Sequence, residues 1–322
     1  MRSESKIISH QWELFLKTLS ARLAEPTANQ PTVRCLTRTT LAKIVQEIRR
    51  TSLPSTFPNT PEILNHLINI GWAYSVKVDV QSSTATPSKE FYLLDISASH
   101  GADVDPLELL QAYRPDGIIC YFSALTYHSL TTQLPSHHHI AVLSKAPKDQ
   151  KSYYPFRNRD SIEGTETSTK KASLGELLFA YQGIPCYLTK RSPARLVGFQ
   201  TRILGPRTRL RITTFEQTLL DTFHKPLYCG GTPVVFEAWE EGVTRFDEDL
   251  LNNYLLKIKS PLLLRRVGAM LDLIDYTPTP TLKITLEKGL ELAEQNNTLA
   301  SISLLPGVEF PSFNSKWQVM TP

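Results

Sequence analysis

Apolar residues recur at helical spacing from the start of the chain. Trp12, Phe15, Leu16, Leu19 and Leu23 predict a first helix with one buried face. After the proline-interrupted AEPTANQPT, the residues Leu41, Ala42, Ile44, Val45 and Ile48 predict a second. Thr39 is placed to cap it, and Lys43, Gln46, Glu47 and Arg50 point outward. A third helix is predicted from Thr60-Pro61, where the missing proline N–H costs nothing, to a stop at Gly71. Leu64, Leu67 and Ile68 face inward on it, and Glu62, Asn65, His66 and Asn69 outward. Two strand-like runs follow, WAYSVKVDV and KEFYLLDI, separated by the polar QSSTATPS.

Three helices and a two-stranded hairpin is the order of a winged helix-turn-helix, whose third helix enters the major groove. Residues 1–97 are therefore expected to be a DNA-binding domain of that kind. Thr60, Asn65 and His66 belong to its reading helix, with Asn65 able to pair with an adenine edge. Arg38, Lys43, Lys77 and Lys89 are suited to phosphates. The same module also serves as a protein-contact domain elsewhere, and a third helix with Glu62 but no Lys or Arg matches DNA poorly in charge.

Residues 98–322 read as a larger mixed α/β domain with a helical C-terminal part, so the chain as a whole is expected to be α+β. DPLELLQAYRPDGIICYFSALTYHSL predicts two short helices around a turn. HHIAVLS, IPCYLTK, RLVGFQTRILG and TRLRITT predict strands. The stretch APKDQKSYYPFRNRDSIEGTETSTKKAS is polar and short of aliphatics, as a loop would be. Helices are predicted after Thr213, whose position three before Glu216 suggests a capping box, and after Thr232-Pro233, Asp247 and Ser260-Pro261. Beyond residue 276, LKITL looks strand-like and KGLELAEQ like a short helix.

Composition sharpens the picture where it is uneven. The 41% hydrophobic and 20% charged residues place the chain among globular proteins, and its net charge of +4 says little. Residues 145–211, however, carry 14 Lys and Arg against 5 Asp and Glu, whereas residues 212–322 carry 9 against 14. A local basic block attracts polyanions even in a near-neutral chain. The residues that form it include Lys190, Arg191, Arg195, Arg202, Arg207, Arg209 and Arg211. Strand alternation would put Arg207, Arg209 and Arg211 on one face, against nucleic-acid phosphate, another anion, or the protein's own Glu237, Glu240, Glu241 and Asp249. Four scattered cysteines without a C-x-x-C pair, no membrane-length apolar run and no signal-peptide core favour a cytoplasmic protein.

Candidate chemistry is thin. Asp221 and Lys225 have the i, i+4 order of an exposed helix pair, which predicts structure rather than catalysis. His137 and His139 share a strand face but make half a metal site, and His128 reads as a semi-buried histidine. No P-loop, G-x-G-x-x-G, G-x-S-x-G or H-E-x-x-H occurs, and the acids of DEDL at 247–250 suit a helix N-terminus better than a nuclease centre. No enzyme activity, metal or cofactor is expected.

Three fragments in order, YFSALTYHSL, ITTFEQTLLDTFHKPLYCGG and LLRRVGAMLDLI, resemble the AbiEi family. These are the antitoxins and transcriptional regulators of type IV toxin–antitoxin operons. The matching positions are Ser123-Ala124-Leu125, Thr214 through Asp221 with Gly230-Gly231, and Arg266-Val267-Gly268. The chain departs from the pattern in Glu90-Phe91-Tyr92, where the family's wing usually has a Gly beside its Tyr. The resemblance implies a winged helix followed by an antitoxin domain. It also implies repression through inverted repeats in the protein's own promoter, and an antidote to a nucleotidyltransferase toxin that need not touch it.

Overall fold

The structure, a computed structural model, describes residues 2–79, 90–94, 104–144, 173–295 and 300–322, with side chains from residue 9 onward. The fold is α+β. It divides into two compact units that are not contiguous in sequence. The first comprises Met1–Gly117, Leu178–Cys186 and Thr201–Arg211, and the second Ile118–Leu177, Tyr187–Gln200 and Ile212–Pro322. A sequence boundary at residue 97 thus falls inside the first unit. Two hairpins inserted from later in the chain complete that unit.

The first unit opens with α1 (Arg2–Arg22), β1 (Cys35–Thr37), α2 (Arg38–Ser52) and α3 (Thr60–Asn69), then β2 (Tyr74–Val76), β3 (Phe91–Leu93) and α4 (Pro106–Tyr113). The strands form an antiparallel sheet in the order β1-β3-β2, with Tyr92 paired to Leu36 on one side and Ser75 on the other. Phe15, Leu19, Leu41, Val45, Ile63 and Leu67 close the core between helices and sheet. Their spacing on each helix gives one apolar face, and burying those faces stabilises the module.

The caps differ from the pattern's assignments by one or two residues. Thr37, not Thr39, caps α2 by accepting from the Thr40 amide at 3.2 Å. Asn59, not Thr60, caps α3 through a reciprocal box with Glu62, both bonds near 3 Å. The inward face also differs from the pattern, since Ile63 is buried and Ile68 is exposed. The strand β1 was hidden as well. Three residues between loop and helix are too few to show alternation.

The second unit contains β4 (Ile118–Ile119), α5 (Phe122–Tyr127) and β5 (His138–Leu143). It shares β6 (Glu176–Tyr181), β7 (Ile184–Arg191), β8 (Phe199–Gly205) and β9 (Thr208–Thr213) with the first. These six strands hydrogen-bond in the order β6-β7-β5-β4-β9-β8. β4 runs antiparallel to β5 and parallel to β9, with Ile119 opposite Ile212. The pattern passes over both β4 and β6.

The helical part follows as α6 (Phe215–Thr222), a 3-10 turn (Pro226–Cys229), α7 (Thr232–Gly242), α8 (Glu248–Ile258), α9 (Pro261–Leu273) and α10 (Pro280–Gln295). A small sheet of β10 (Ile302–Ser303), β11 (Ser312–Asn314) and β12 (Val319–Thr321) ends the chain in the order β10-β12-β11. Thr214 rather than Thr213 caps α6, accepting from the Gln217 amide. Glu216 is used elsewhere, accepting from the Asp247 amide at 3.1 Å. LKITL is helical, because Leu282, Leu286, Gly289 and Ala293 are buried at helical spacing along α10 and override the local β preference. The polar loop predicted at 146–173 lies almost wholly outside the described residues.

Candidate functional site

In the first unit, α3 leaves Glu62, Asn65 and Asn69 exposed. Lys43 on α2 and Lys77 after β2 are exposed too. The other candidates there are committed to structure. His66 packs its ring against Trp12 at 3.9 Å between centroids, a tilted contact on the core side, so it does not stand out for a base. Thr60 is the first helical residue, half-buried. Arg38 is exposed but ion-paired to Glu90 at 2.9 Å. Lys89 lies outside the described residues.

The basic set predicted on the central strands does not form one face. Arg207 precedes β9, and its guanidinium donates to the carbonyls of Leu23, Val33 and Leu94 at 2.8–3.3 Å. It ties chain segments of the first unit together. Arg211 donates to the Asp116 carbonyl at 2.7 Å. Arg209 and Arg202 remain exposed, while Lys190 is exposed and Arg191 beside it is buried. Lys190, Arg191 and Arg195 belong to the second unit, whereas Arg202, Arg207, Arg209 and Arg211 belong to the first. Alternation along β9 holds for Arg209 and Arg211; the turn before the strand takes Arg207 out of phase.

Asp221 corrects the exposed-pair assignment most sharply. It is 1% exposed, and the Arg191 guanidinium grips it through two bonds of 2.5 and 2.7 Å. Gln217 Nε2 donates to the same carboxylate at 2.7 Å, while its Oε1 accepts from the amides of Val197 and Gly198. Burial opposes the Arg191 charge, yet the adjacent Asp221 carboxylate raises its pKa above the usual arginine value. Buried from Glu216 through Thr222, α6 could not have carried an unpaired carboxylate.

This pair forms part of the wall of a cavity of about 810 Å³ in the second unit. Arg191, Arg195, Lys225 and Arg266 line it together with Asp221 and His224. So do the starts of two helices, at Gly231-Thr232 for α7 and at Ser260 for α9. Burial and then the four surrounding cations push His224 well below the ordinary histidine range. Its Nδ1 lies 2.9 Å from the Tyr121 hydroxyl, within hydrogen-bond distance. No part of the sequence pattern marks this cavity, because its residues come from stretches far apart in the chain.

The three consecutive histidines are buried at the start of β5. His137 Nε2 donates to the Tyr228 carbonyl at 3.1 Å and His139 Nε2 to the Leu174 carbonyl at 2.8 Å. Ser123 accepts from the His139 amide at 2.9 Å and shares a hydrogen bond with His138 Nδ1 at 3.2 Å. The SAL stretch of α5 therefore anchors β5. Burial lowers all three histidines, His138 to about 4 and His139 to about 3. His128 Nε2 donates to the Thr213 carbonyl at 2.8 Å. Among the described residues no group of three metal-ligating side chains occurs.

Gly230 and Gly268 also have packing roles. Gly230 sits at φ 96°, and a Cβ there would stand 2.8 Å from Val234 and 2.9 Å from Phe122. Gly268 lies under the Trp317 indole, where a Cβ would come within 2.6 Å. A buried acid the pattern also misses is Glu108 on α4, which gathers Thr32, Arg34 and Thr208 at 2.6–3.2 Å within the first unit. An acid inside an apolar helical run is the signal that could have flagged it.

No family model matches the chain, and no curated protein matches it. Among solved structures it is similar to the crystal structure of the RV2827C protein from Mycobacterium tuberculosis, at 12% identity and a TM-score of 0.48, over 95% of this chain and 90% of that one. Among the described residues no helix is long and apolar enough to cross a membrane.

Proposed function

We propose that the protein is a cytoplasmic, non-enzymatic DNA-binding regulator of the AbiEi antitoxin type, which represses its own promoter and counteracts a nucleotidyltransferase toxin. The observation that carries the reading is the first unit's element order. Its helices and three-stranded antiparallel sheet follow the order α1-β1-α2-α3-β2-β3, the sequence of elements in a winged helix, with the outer side of α3 exposed. Asn65 stands on that side for base contact, while Lys43 and Lys77 take phosphates. The second unit's Arg191 has no part in this, since Asp221 neutralises it.

Binding through Lys43 and Lys77 should weaken as salt rises, because each neutralised phosphate releases its own counterions. Electrophoretic shifts of the DNA upstream of the gene, at two salt concentrations, test the reading. Lys43→Ala should weaken binding to every sequence, and Asn65→Ala should weaken the operator selectively. Absence of any shift with the upstream DNA would reject the reading.

A second reading is favoured by Glu62 on α3 and by the Arg38–Glu90 pair, both of which work against a polyanion. In it the first unit binds a protein encoded nearby. Co-purification with that neighbour's product, without a DNA shift, would select it.

A further inference from the structure

We propose that Asn65, Ile68 and Asn69 form the base-reading face of α3 and select adenine and thymine, with Ile68 seated on a thymine methyl group. This inference rests on the DNA-binding reading of the first unit and adds to it which bases are read. With Ile63, Leu64 and Leu67 buried, the outer side of the ten-residue helix carries Glu62, Asn65, Ile68 and Asn69, all exposed. At 3.6 residues per turn, Asn65, Ile68 and Asn69 fall within an arc of about 100°. Asn65 and Asn69 are separated by about 6 Å along the axis, close to two base-pair steps.

The side chains on this face have a defined chemistry. Glu62 Oε2 accepts from the Asn59 amide at 3.1 Å, so that oxygen is used by the helix cap. Neither Asn65 nor Asn69 makes a side-chain hydrogen bond among the described residues, which leaves both carboxamides for a ligand. A carboxamide matches the N6 donor and N7 acceptor that adenine shows in the major groove. Ile68, 37% exposed, lies beside Asn65 on the same arc, and thymine is the base that presents a methyl group in that groove. The commonest guanine contact is made by Arg or Lys, and this face has neither. Phosphates are left to the exposed Lys43 and Lys77. A protein could also cover Ile68, but two unspent carboxamides next to an aliphatic side chain complement the adenine–thymine pair, whose acceptor, donor and methyl group lie side by side.

The upstream DNA is amplified with thymidine, with deoxyuridine, which lacks the methyl group, or with 7-deaza-adenine, which lacks the N7 acceptor. Electrophoretic shifts of the full-length protein compare the three. Deoxyuridine should weaken binding by roughly fourfold for each methyl contacted, the worth of burying one such group. The 7-deaza-adenine DNA should bind roughly fivefold more weakly, or worse. Ile68→Ala, checked by its melting temperature, should bind thymidine and deoxyuridine DNA alike, and Asn65→Ala with Asn69→Ala should no longer distinguish 7-deaza-adenine. Equal affinity of the parent for an altered and the unaltered DNA overturns the inference while leaving DNA binding in place. So does an undiminished deoxyuridine effect in Ile68→Ala, which would mean that thymine is read through DNA shape. Ile68→Ala that binds DNA as the parent does, yet no longer co-purifies with the neighbour-encoded protein, would assign the face to that protein instead. Absence of any shift removes the DNA-binding reading itself, and this inference with it.

Discussion

Arg191 and Asp221, 30 residues apart in sequence, meet as a bidentate ion pair with both side chains almost wholly buried. The pair joins the end of β7 to the last turn of α6, and Gln217 extends it to the backbone of Val197 and Gly198. An internal pair of this kind contributes little net stability, since both charges are removed from water, but breaking it is costly.

Replacing one partner should therefore unfold much of the second unit's margin. Arg191→Met or Asp221→Leu is expected to lower stability by about 3–5 kcal/mol, and the two combined to restore a large part of it. Urea denaturation of the four proteins measures the cycle. Additive losses in the double variant would contradict the pair's role.

The buried histidines set an acid limit. Each has a folded-state pKa below its unfolded value near 6.5, so unfolding takes up a proton. Their stabilising contribution is complete above pH 6.5 and is lost as the pH falls toward about 4 for His138 and about 3 for His139. Each imidazole should contribute a slope of about 1.4 kcal/mol per pH unit in that window. Urea midpoints followed from pH 7 to pH 4.5 should fall steadily, with a smaller slope in His138→Gln. A flat profile would mean that these rings titrate alike in the folded and unfolded protein.

Gly268→Ala should cost about 1–3 kcal/mol, since its Cβ would press within 2.6 Å of the Trp317 indole on a buried helix. Trp317→Leu should recover part of the loss by vacating that space. Thermal melts of the single and double variants decide it; equal stability of Gly268→Ala and the parent would show that the indole moves aside freely.

Arg265 is fully buried and donates to the carbonyls of Ala300, Trp317 and Gln318 at 2.6–2.9 Å. Arg265→Met should leave those acceptors unpaired and loosen the C-terminal strands. Limited proteolysis should then cut in residues 300–322 far faster than in the parent, with the rest of the chain intact. Unchanged cleavage would assign the docking of β10–β12 to their apolar residues alone.

Much of the helical framework was legible in the chain. The apolar stripe of α1, the Asp247 and Ser260 caps and the proline starts of α3, α7 and α9 depend on residues within one turn of each other. Short strands and charged side chains were not. Alternation through Cys186 and Leu188 assigns Lys190 to the inside and Arg191 to solvent, yet the end of β7 places them the other way. Likewise Asp221 and Lys225 fit an exposed helix face by spacing, but α6 is buried on every side.

Local order along the chain thus determined where most helices begin, which faces of the first two turn inward, and that the whole is α+β. The tertiary structure alone decided the fate of the cations. Arg207 went to backbone carbonyls, Arg191 to a buried acid, and Arg195, Lys225 and Arg266 to the rim of one cavity. Backbone caps are satisfied by neighbours a few residues away, whereas a charge takes whatever partner folding brings near it from any distance in sequence.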